Sequence, residues 1–346
     1  MGYRFDFEKM KITLTGGIYV RTFPTAEKIT IDSKIKGKPG MFANSIFVQS
    51  LLPGSHTVLV EKNGYYNYFK TIPVQEKEVT KLENILLFKK NVRLTVVADQ
   101  TQTPFNALEK FILKNNNLYY SASPENLGLT ATQKATPILK KITAFAMSPS
   151  GGSPAGRQNN NIVWLGTDGL VYKSDPANLS AQPIKLTLTP IEIIKNKSYK
   201  IITLEGHPNG AIFINNNGNL LLLNTKTSEL DSFADSVKDA KISPDGKNIV
   251  YYNDNNIYIS PIPNTRTAKY TLYKSSEKIS NCLWLNNHYI IFVVGSKIII
   301  SEIDYRGEIN TVTLPQTADK IFFNTQDSKL YILVEKTLLL SEKLIP

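Results

Sequence analysis

Five times between residues 162 and 341, a short apolar strand is followed within a few residues by another. The leading strands cover residues 162–166, 211–215, 249–253, 290–294 and 330–334, as in Ile290-Ile291-Phe292-Val293-Val294. Their followers cover 169–173, 219–223, 256–260, 297–301 and 337–341, as in Lys297-Ile298-Ile299-Ile300-Ser301. A sixth, earlier copy reads Phe111-Ile112-Leu113-Lys114, Asn115-Asn116-Asn117, Leu118-Tyr119-Tyr120. Copies begin about 40 residues apart, stretching to about 50 in the first two intervals, and self-similarity of that size marks a repeat architecture. No unit of this kind buries its apolar face alone, so neighbours must stack.

At four strands per unit the period is that of a β-propeller. The copies over residues 107–346 predict six blades, with seven as the alternative. The last copy runs out of chain after Leu344, so its outer strand is missing. Val92-Arg93-Leu94-Thr95-Val96-Val97 is the strand expected to supply it and close the fold. The clearest unit is Lys241-Ile242-Ser243-Pro244-Asp245-Gly246-Lys247, placed just before an apolar strand. In such a turn Pro presets φ, Asp bonds its own backbone and Gly takes the positive φ. Residues 146–151 and 205–210 echo it more weakly. The Ser-Pro-Asp-Gly turn resembles the WD40-like propeller repeat of the translocation protein TolB and related periplasmic propellers. That resemblance implies a blade and no particular activity.

Residues 12–88 follow a different pattern, with period-2 alternation in Ile18-Tyr19-Val20-Arg21-Thr22 and Lys28-Ile29-Thr30-Ile31-Asp32, as half-buried strands require. Leu52-Pro53-Gly54 separates two further strands, and Lys62-Asn63-Gly64-Tyr65-Tyr66 reads as a hairpin signal. These turns and strands resemble the PEGA domain, a small β-sandwich found outside the cytoplasm in many bacteria and archaea. One departure is visible: the usual short Asp-Gly turn after the second strand is Asp32-Ser33 here, with a longer insertion behind it. The expected fold class is thus all-β, an antiparallel PEGA-like sandwich followed by a propeller. The expected divisions are a membrane-proximal linker over 1–11, the sandwich over 12–90 and the propeller over 91–346. In PEGA-containing proteins a sequence like Gly2-Tyr3-Arg4-Phe5-Asp6 directly follows a membrane helix, so the resemblance implies an N-terminal transmembrane anchor ahead of this segment.

No run of this sequence reaches the ~18–20 apolar residues of a membrane helix. With 40 Lys/Arg against 29 Asp/Glu the chain carries a formal +11. Residues 1–90 hold 14 basic and 8 acidic side chains, a net of +6, and the other 256 residues hold 26 and 21, a net of +5. Such charge attracts anionic lipid, an acidic wall polymer or nucleic acid, or it is simply a solvated Lys-rich face. The densest cluster is Lys34, Lys36 and Lys38, read as a basic loop and a candidate contact with an anionic surface. Nucleic acid is disfavoured because the basic residues do not gather into Arg-rich runs.

Catalytic constellations are hard to assemble from this sequence. Cys282, the single cysteine, sits in an apolar strand and reads as a buried small hydrophobe. His56, His207 and His288 are isolated, whereas zinc sites need clustered ligands at fixed spacing. No Gly-x-Ser-x-Gly elbow is present. Gly151-Gly152-Ser153-Pro154-Ala155-Gly156 carries no Lys and leads into no helix, so it reads as an insertion, not a phosphate loop. Asp168, Asp245, Asp254, Asp304 and Asp327 stand beside Gly, Asn or Ser and mostly read as Asx-turn formers. Tyr66 and Tyr68 are a candidate stacking platform for sugar rings or bases, set against the alternative that they pack on the sandwich.

No catalytic, metal-binding or cofactor-binding residue is put forward, and no cofactor is expected. The reading is a non-enzymatic extracytoplasmic binding or scaffold protein of the cell envelope, its propeller presenting a surface to protein or glycan. An anionic membrane or wall polymer is a further expected partner. The alternative is a glycosidase-like envelope hydrolase with acidic residues converging on the propeller channel. Two or more convergent carboxylates with raised pKa would favour that alternative, and a mouth lined by Asn, Lys and Ser would count against it.

Overall fold

The computed structural model describes residues 2–7, 10–37, 44–97, 111–120, 137–148, 161–203, 211–262 and 269–346. Among these residues every regular element is a strand. The chain divides into two compact units, residues 1–100 with 280–346, and residues 101–279.

In the first unit, β1 (Tyr3–Asp6) and β2 (Lys11–Leu14) form a hairpin ahead of a two-layer sandwich. The sandwich strands are β3 (Gly16–Phe23), β4 (Lys28–Ile31), β5 (Lys34–Gly37), β6 (Ser45–Leu51), β7 (Gly54–Glu61), β8 (Tyr68–Val74) and β9 (Val79–Leu86). One layer has the order β6-β3-β9 and the other β5-β4-β7-β8. The period-2 pattern fills the space between them. Ile18 and Val20 face Ile29, Ile31, Val58, Val60 and Ile72, all fully buried, and each such side chain contributes about 1.5–3 kcal/mol. Two features correct the sequence reading. β3 and β9 pair in parallel, because they are brought together by a crossover and not by a hairpin. The expected basic loop is partly a strand: Lys34 and Lys36 lie in β5, at the edge of its sheet, where an exposed lysine such as Lys34 discourages unwanted strand pairing.

After β10 (Leu94–Val96), the second unit holds four sheets. The first is three-stranded: β11 (Phe111–Lys114), β12 (Asn117–Tyr120) and β13 (Leu139–Lys140). The next joins β14 (Ile142–Ser148), β15 (Asn161–Gly166), β16 (Val171–Ser174) and β17 (Ile184–Lys185). A third joins β18 (Tyr199–Thr203), β19 (Ile212–Asn216), β20 (Asn219–Asn224) and β21 (Glu229–Ala234). The last joins β22 (Asp239–Ile242), β23 (Asn248–Tyr252), β24 (Asn256–Pro261) and β25 (Tyr270–Lys274). Each is a meander in sequence order, and each contains one repeat of the two-strand core. Apolar clusters bridge successive sheets, one uniting Phe213 and Leu220 with Ile249 and Tyr251. The Ser-Pro-Asp-Gly turn forms as its residues dictate. Ser243 Oγ donates to Asp245 Oδ1 at 2.7 Å and accepts from the Asn248 amide at 2.9 Å, with Gly246 at φ 68.

Two further sheets complete the first unit. One joins β26 (Ile279–Trp284), β27 (Tyr289–Val294), β28 (Lys297–Glu302) and β29 (Thr311–Thr317). β27 is buried along its whole length, the mark of a strand covered on both faces, and Cys282 is buried in β26. The other joins β30 (Lys320–Asn324), β31 (Lys329–Val334) and β32 (Thr337–Lys343), with β10 paired antiparallel to β32 as the missing outer strand. Lys38, His207, the turn echo at 205–210, the second half of the one at 146–151, and the 151–156 insertion lie outside the described residues.

Candidate functional site

Within the first unit the sandwich is bolted to the β26–β29 sheet by a buried polar network. Alternation along Tyr68-Phe69-Lys70-Thr71-Ile72-Pro73-Val74 turns Tyr68, Lys70, Ile72 and Val74 inward. Lys70 is thus a lysine at a core position, 0% exposed. Its Nζ donates to Glu302 Oε1 at 2.5 Å, to the Asp304 carbonyl at 2.8 Å and to the Glu308 carbonyl at 3.0 Å, so all three ammonium protons are placed. Glu302 ends the apolar run of β28 and is itself buried. Its Oε1 also accepts from the Asn310 amide and side chain at 2.9 and 2.8 Å, and its Oε2 from the Tyr68 hydroxyl at 3.1 Å. The void beside these groups is about 10 Å³, room for at most one water. With the Lys70 ammonium fully bonded and both Glu302 oxygens accepting, the network ties the sandwich strand β8 to the β28–β29 loop.

The same loop between β28 and β29 caps the open edge of β8. An edge strand presents unpaired N–H groups along every second residue. Here the Phe69 amide donates to Asn310 Oδ1 at 3.0 Å and the Thr71 amide to Glu308 Oε2 at 2.7 Å. The next position of that parity is Pro73, which has no N–H to satisfy. Gly307 makes the approach possible, because a Cβ there would lie 2.0 Å from the Thr71 carbonyl oxygen and its φ is +63. Arg306 pairs with Asp304 at 2.7 Å and donates across to the Lys81 carbonyl at 3.0 Å. Burial pushes the Asp304 carboxyl up, but the Arg306 hydrogen bonds and the Lys70 charge outweigh it and hold the group below its ordinary value. Burial above all, with the Glu302 charge added, raises the Tyr68 and Tyr289 hydroxyls far above theirs. Glu308 is lowered chiefly by the Thr71 amide. Further along, Lys89 meets Glu342 at 2.6 Å, and Phe88 sits in the core that contains Tyr289 and Ile291.

Tyr66 and Tyr68 belong to this joint and form no stacking platform. Tyr68 is 4% exposed, whereas stacking needs a free ring face. Tyr66 is half-buried against the β27–β31 core and its hydroxyl donates to the Thr313 carbonyl at 2.8 Å. Lys34 is exposed on β5.

The second unit carries an open hollow of about 490 Å³ lined by Ser236, Val237, Lys238, Asn253, Asp254, Asn255, Asn256 and Lys278. Tight turns position these residues: Asn253 Oδ1 accepts from the Asn255 and Asn256 amides at 3.0 and 2.8 Å, and Asn255 Nδ2 donates to the Ser275 carbonyl at 3.0 Å. Asp168, Asp245, Asp304 and Asp327 each accept from the amide two residues on, as Asx-turn formers do. In this turn Asn253 takes that role instead. Asp254 accepts from Lys238 Nζ at 2.8 Å, and that hydrogen bond is the main cause holding its carboxyl below the ordinary value, with Lys278 adding to it. The hollow therefore offers two ammonium groups, one paired carboxylate and several amides. Small-molecule pockets are enclosed and mostly apolar, and this surface is neither.

These features define the class: an all-β chain with a sandwich followed by propeller blades. Residues 15–87 match the model of the PEGA domain, and residues 215–284 match that of the dipeptidyl peptidase IV (DPP IV) N-terminal region. The chain thus carries a PEGA domain ahead of its propeller sheets. No curated protein matches the sequence. Among solved structures it is similar to the extracellular domain of a one-component system of B. thetaiotaomicron, at 10% identity and TM-score 0.44, covering 84% of this chain and 39% of that one. It is similar also to a protein named TolB of Agrobacterium tumefaciens, at 17% identity and TM-score 0.36, covering 58% and 74%. A gluconolactonase of Xanthomonas campestris gives 14% identity and TM-score 0.34, covering 54% and 69%.

Proposed function

We propose that this chain is a non-enzymatic binding or scaffold protein of the cell envelope, acting outside the cytoplasm. The observation that carries the reading is the joint: a PEGA domain whose edge strand and buried lysine are fixed by one blade of its own unit, and whose exit segment packs against that blade and the terminal sheet. A sandwich held that way serves as a rigid mount and not as a tethered module. The PEGA match supports the extracytoplasmic location. The hollow at Lys238, Asp254 and Lys278 is the surface offered to a partner, which its polar, open character suits to a protein or glycan. A glycosidase-type hydrolase needs two carboxylates, one of them raised. The hollow supplies Asp254 alone among the described residues, and that group is lowered.

The test is retention of partners from the native envelope by the full chain and by a Lys238→Glu/Lys278→Glu variant of unchanged melting temperature. The reading expects one or more specific envelope components to be held by the first and lost by the second. Identical retention would remove the hollow from the function, and turnover of a glycan by the intact chain would overturn the non-enzymatic assignment.

A further inference from the structure

The hairpin at the start of the chain wears its faces in reverse. β1 and β2 pair Tyr3 with Leu14, Arg4 with Thr13 and Phe5 with Ile12, and directly paired residues share a face. The face bearing Thr13 is turned toward the body. Thr13 is 4% exposed, and Arg4 Nη1 donates to the Ser50 carbonyl at 3.2 Å. Gly2 and Thr15 clamp the base, the Thr15 amide and hydroxyl both donating to the Gly2 carbonyl at 2.9 and 2.7 Å. The other face looks outward, and it is the apolar one. Tyr3 is 76% exposed and Ile12 70%, while Phe7 and Met10 beyond the strand ends are 79% and 73% exposed. Phe5, 39% exposed, stacks edge-on against Phe7 at 5.0 Å. A sheet in water normally buries its apolar face and wets the polar one. Five of the thirteen large apolar side chains exposed among the described residues fall in these first twelve positions.

We propose that this hairpin seats in the interface of an anionic phospholipid bilayer, with Phe7 and Met10 leading and Tyr3 and Ile12 behind. Aromatic and aliphatic side chains on one small surface suit the headgroup–acyl boundary, where Tyr and Phe keep one end apolar and one end wet. The surrounding region is basic: Lys11 at the end of the hairpin and Lys34 on β5 are exposed, within residues 1–90, which hold 14 basic and 8 acidic side chains. Exposed cations of this kind attract anionic headgroups only within a Debye length of ~8 Å, so they assist a hairpin already at the surface. A second copy of the chain is the competing occupant: at ~150–250 Å² per large side chain, the five exposed fractions amount to about 500–850 Å², close to the ~800 Å² per partner of a stable interface, and the charge is what favours the bilayer. The inference goes beyond the binding role proposed above and stands independently of what the hollow holds.

The probe is flotation of the full chain with vesicles of phosphatidylglycerol and phosphatidylcholine, against phosphatidylcholine alone. The chain is expected to float with the anionic vesicles, and Phe7→Ser/Met10→Ser/Ile12→Ser to lower that partition at least about tenfold. Substituting such exposed positions should leave the melting temperature within about 2 °C. A Phe7→Trp variant adds the site-specific readout, since Trp164 and Trp284 are both 7% exposed and give a fixed background. Its indole should shift to the blue and be quenched by brominated acyl chains. Absence of binding to any vesicle, unchanged partition in the triple variant, or an indole that stays unquenched overturns the proposal. So does a concentration-dependent dimer that the triple variant abolishes, which would give the face to a second copy.

Discussion

Replacing Lys70 by methionine keeps the aliphatic stem in the core and removes the ammonium that Glu302, Asp304 and Glu308 share. Glu302 would then be a buried carboxylate supported by Tyr68 and Asn310 but with no cation against it. Breaking a buried pair from one side costs about 3–5 kcal/mol, because the stranded charge keeps its desolvation penalty. At roughly 2–4 °C per kcal/mol for a unit of this size, Lys70→Met should melt about 6–20 °C early. Removing both charges in Lys70→Met/Glu302→Gln keeps an acceptor for Asn310, so it should recover a clear part of that loss. Trp284 lies in β26 of this unit, so a Trp164→Phe background lets its fluorescence follow the right transition. A Lys70→Met melt within about 2 °C of the parent, or a double variant worse than the sum of its singles, would refute the reasoning.

Gly307→Ala forces a Cβ to 2.0 Å from the Thr71 oxygen, and should cost at least about 1–3 kcal/mol by overpacking. Gly64→Ala is the matched control: φ is +77 but nothing lies within 4 Å, so it should cost only the left-handed strain of about 1–2 kcal/mol; paired urea titrations decide between them. Asp304 titrates below its ordinary value in the folded chain, so the stability it contributes is complete above about pH 4 and fades as pH falls through the lower folded value. Acid unfolding followed at Trp284 should show that loss in the parent and a shallower pH slope in Asp304→Asn. Deleting residues 337–346 removes β32 from between β10 and β31, and should lower the melting temperature of the whole first unit; an unchanged melt would mean that β10 and β31 do not depend on it.

Strand repeats and turns were legible in the sequence because their causes are local. The two-strand cores, the Ser-Pro-Asp-Gly turn and the pairing of residues 92–97 with the terminal sheet all follow from apolar runs and from a strand left without a neighbour. The parallel β3–β9 pairing was not legible, since it depends on which distant strands meet. The joint was hidden for the same reason: Lys70 and Glu302 stand 232 residues apart. A signal did exist, however. Alternation sets Lys70 among Tyr68, Ile72 and Val74, and Glu302 closes the run Ile298-Ile299-Ile300-Ser301. A lysine and a glutamate at inward positions of two separate strands call for each other, because neither is stable buried alone. Tyr66 and Tyr68 misled because aromatic residues among basic ones look the same whether they face solvent or a neighbouring sheet.

Amide hydrogen exchange at Phe69 and Thr71 bears most directly on the sandwich as a rigid mount. Both N–H groups lie on the outer edge of β8 and are bonded only by Asn310 and Glu308 of the β28–β29 loop. If the mount is rigid, they exchange as slowly as the amides at the centre of β27, through opening of the whole unit, and speed up in Lys70→Met. Exchange at the rate of an exposed strand edge in the parent chain would show that the sandwich moves apart from the blade.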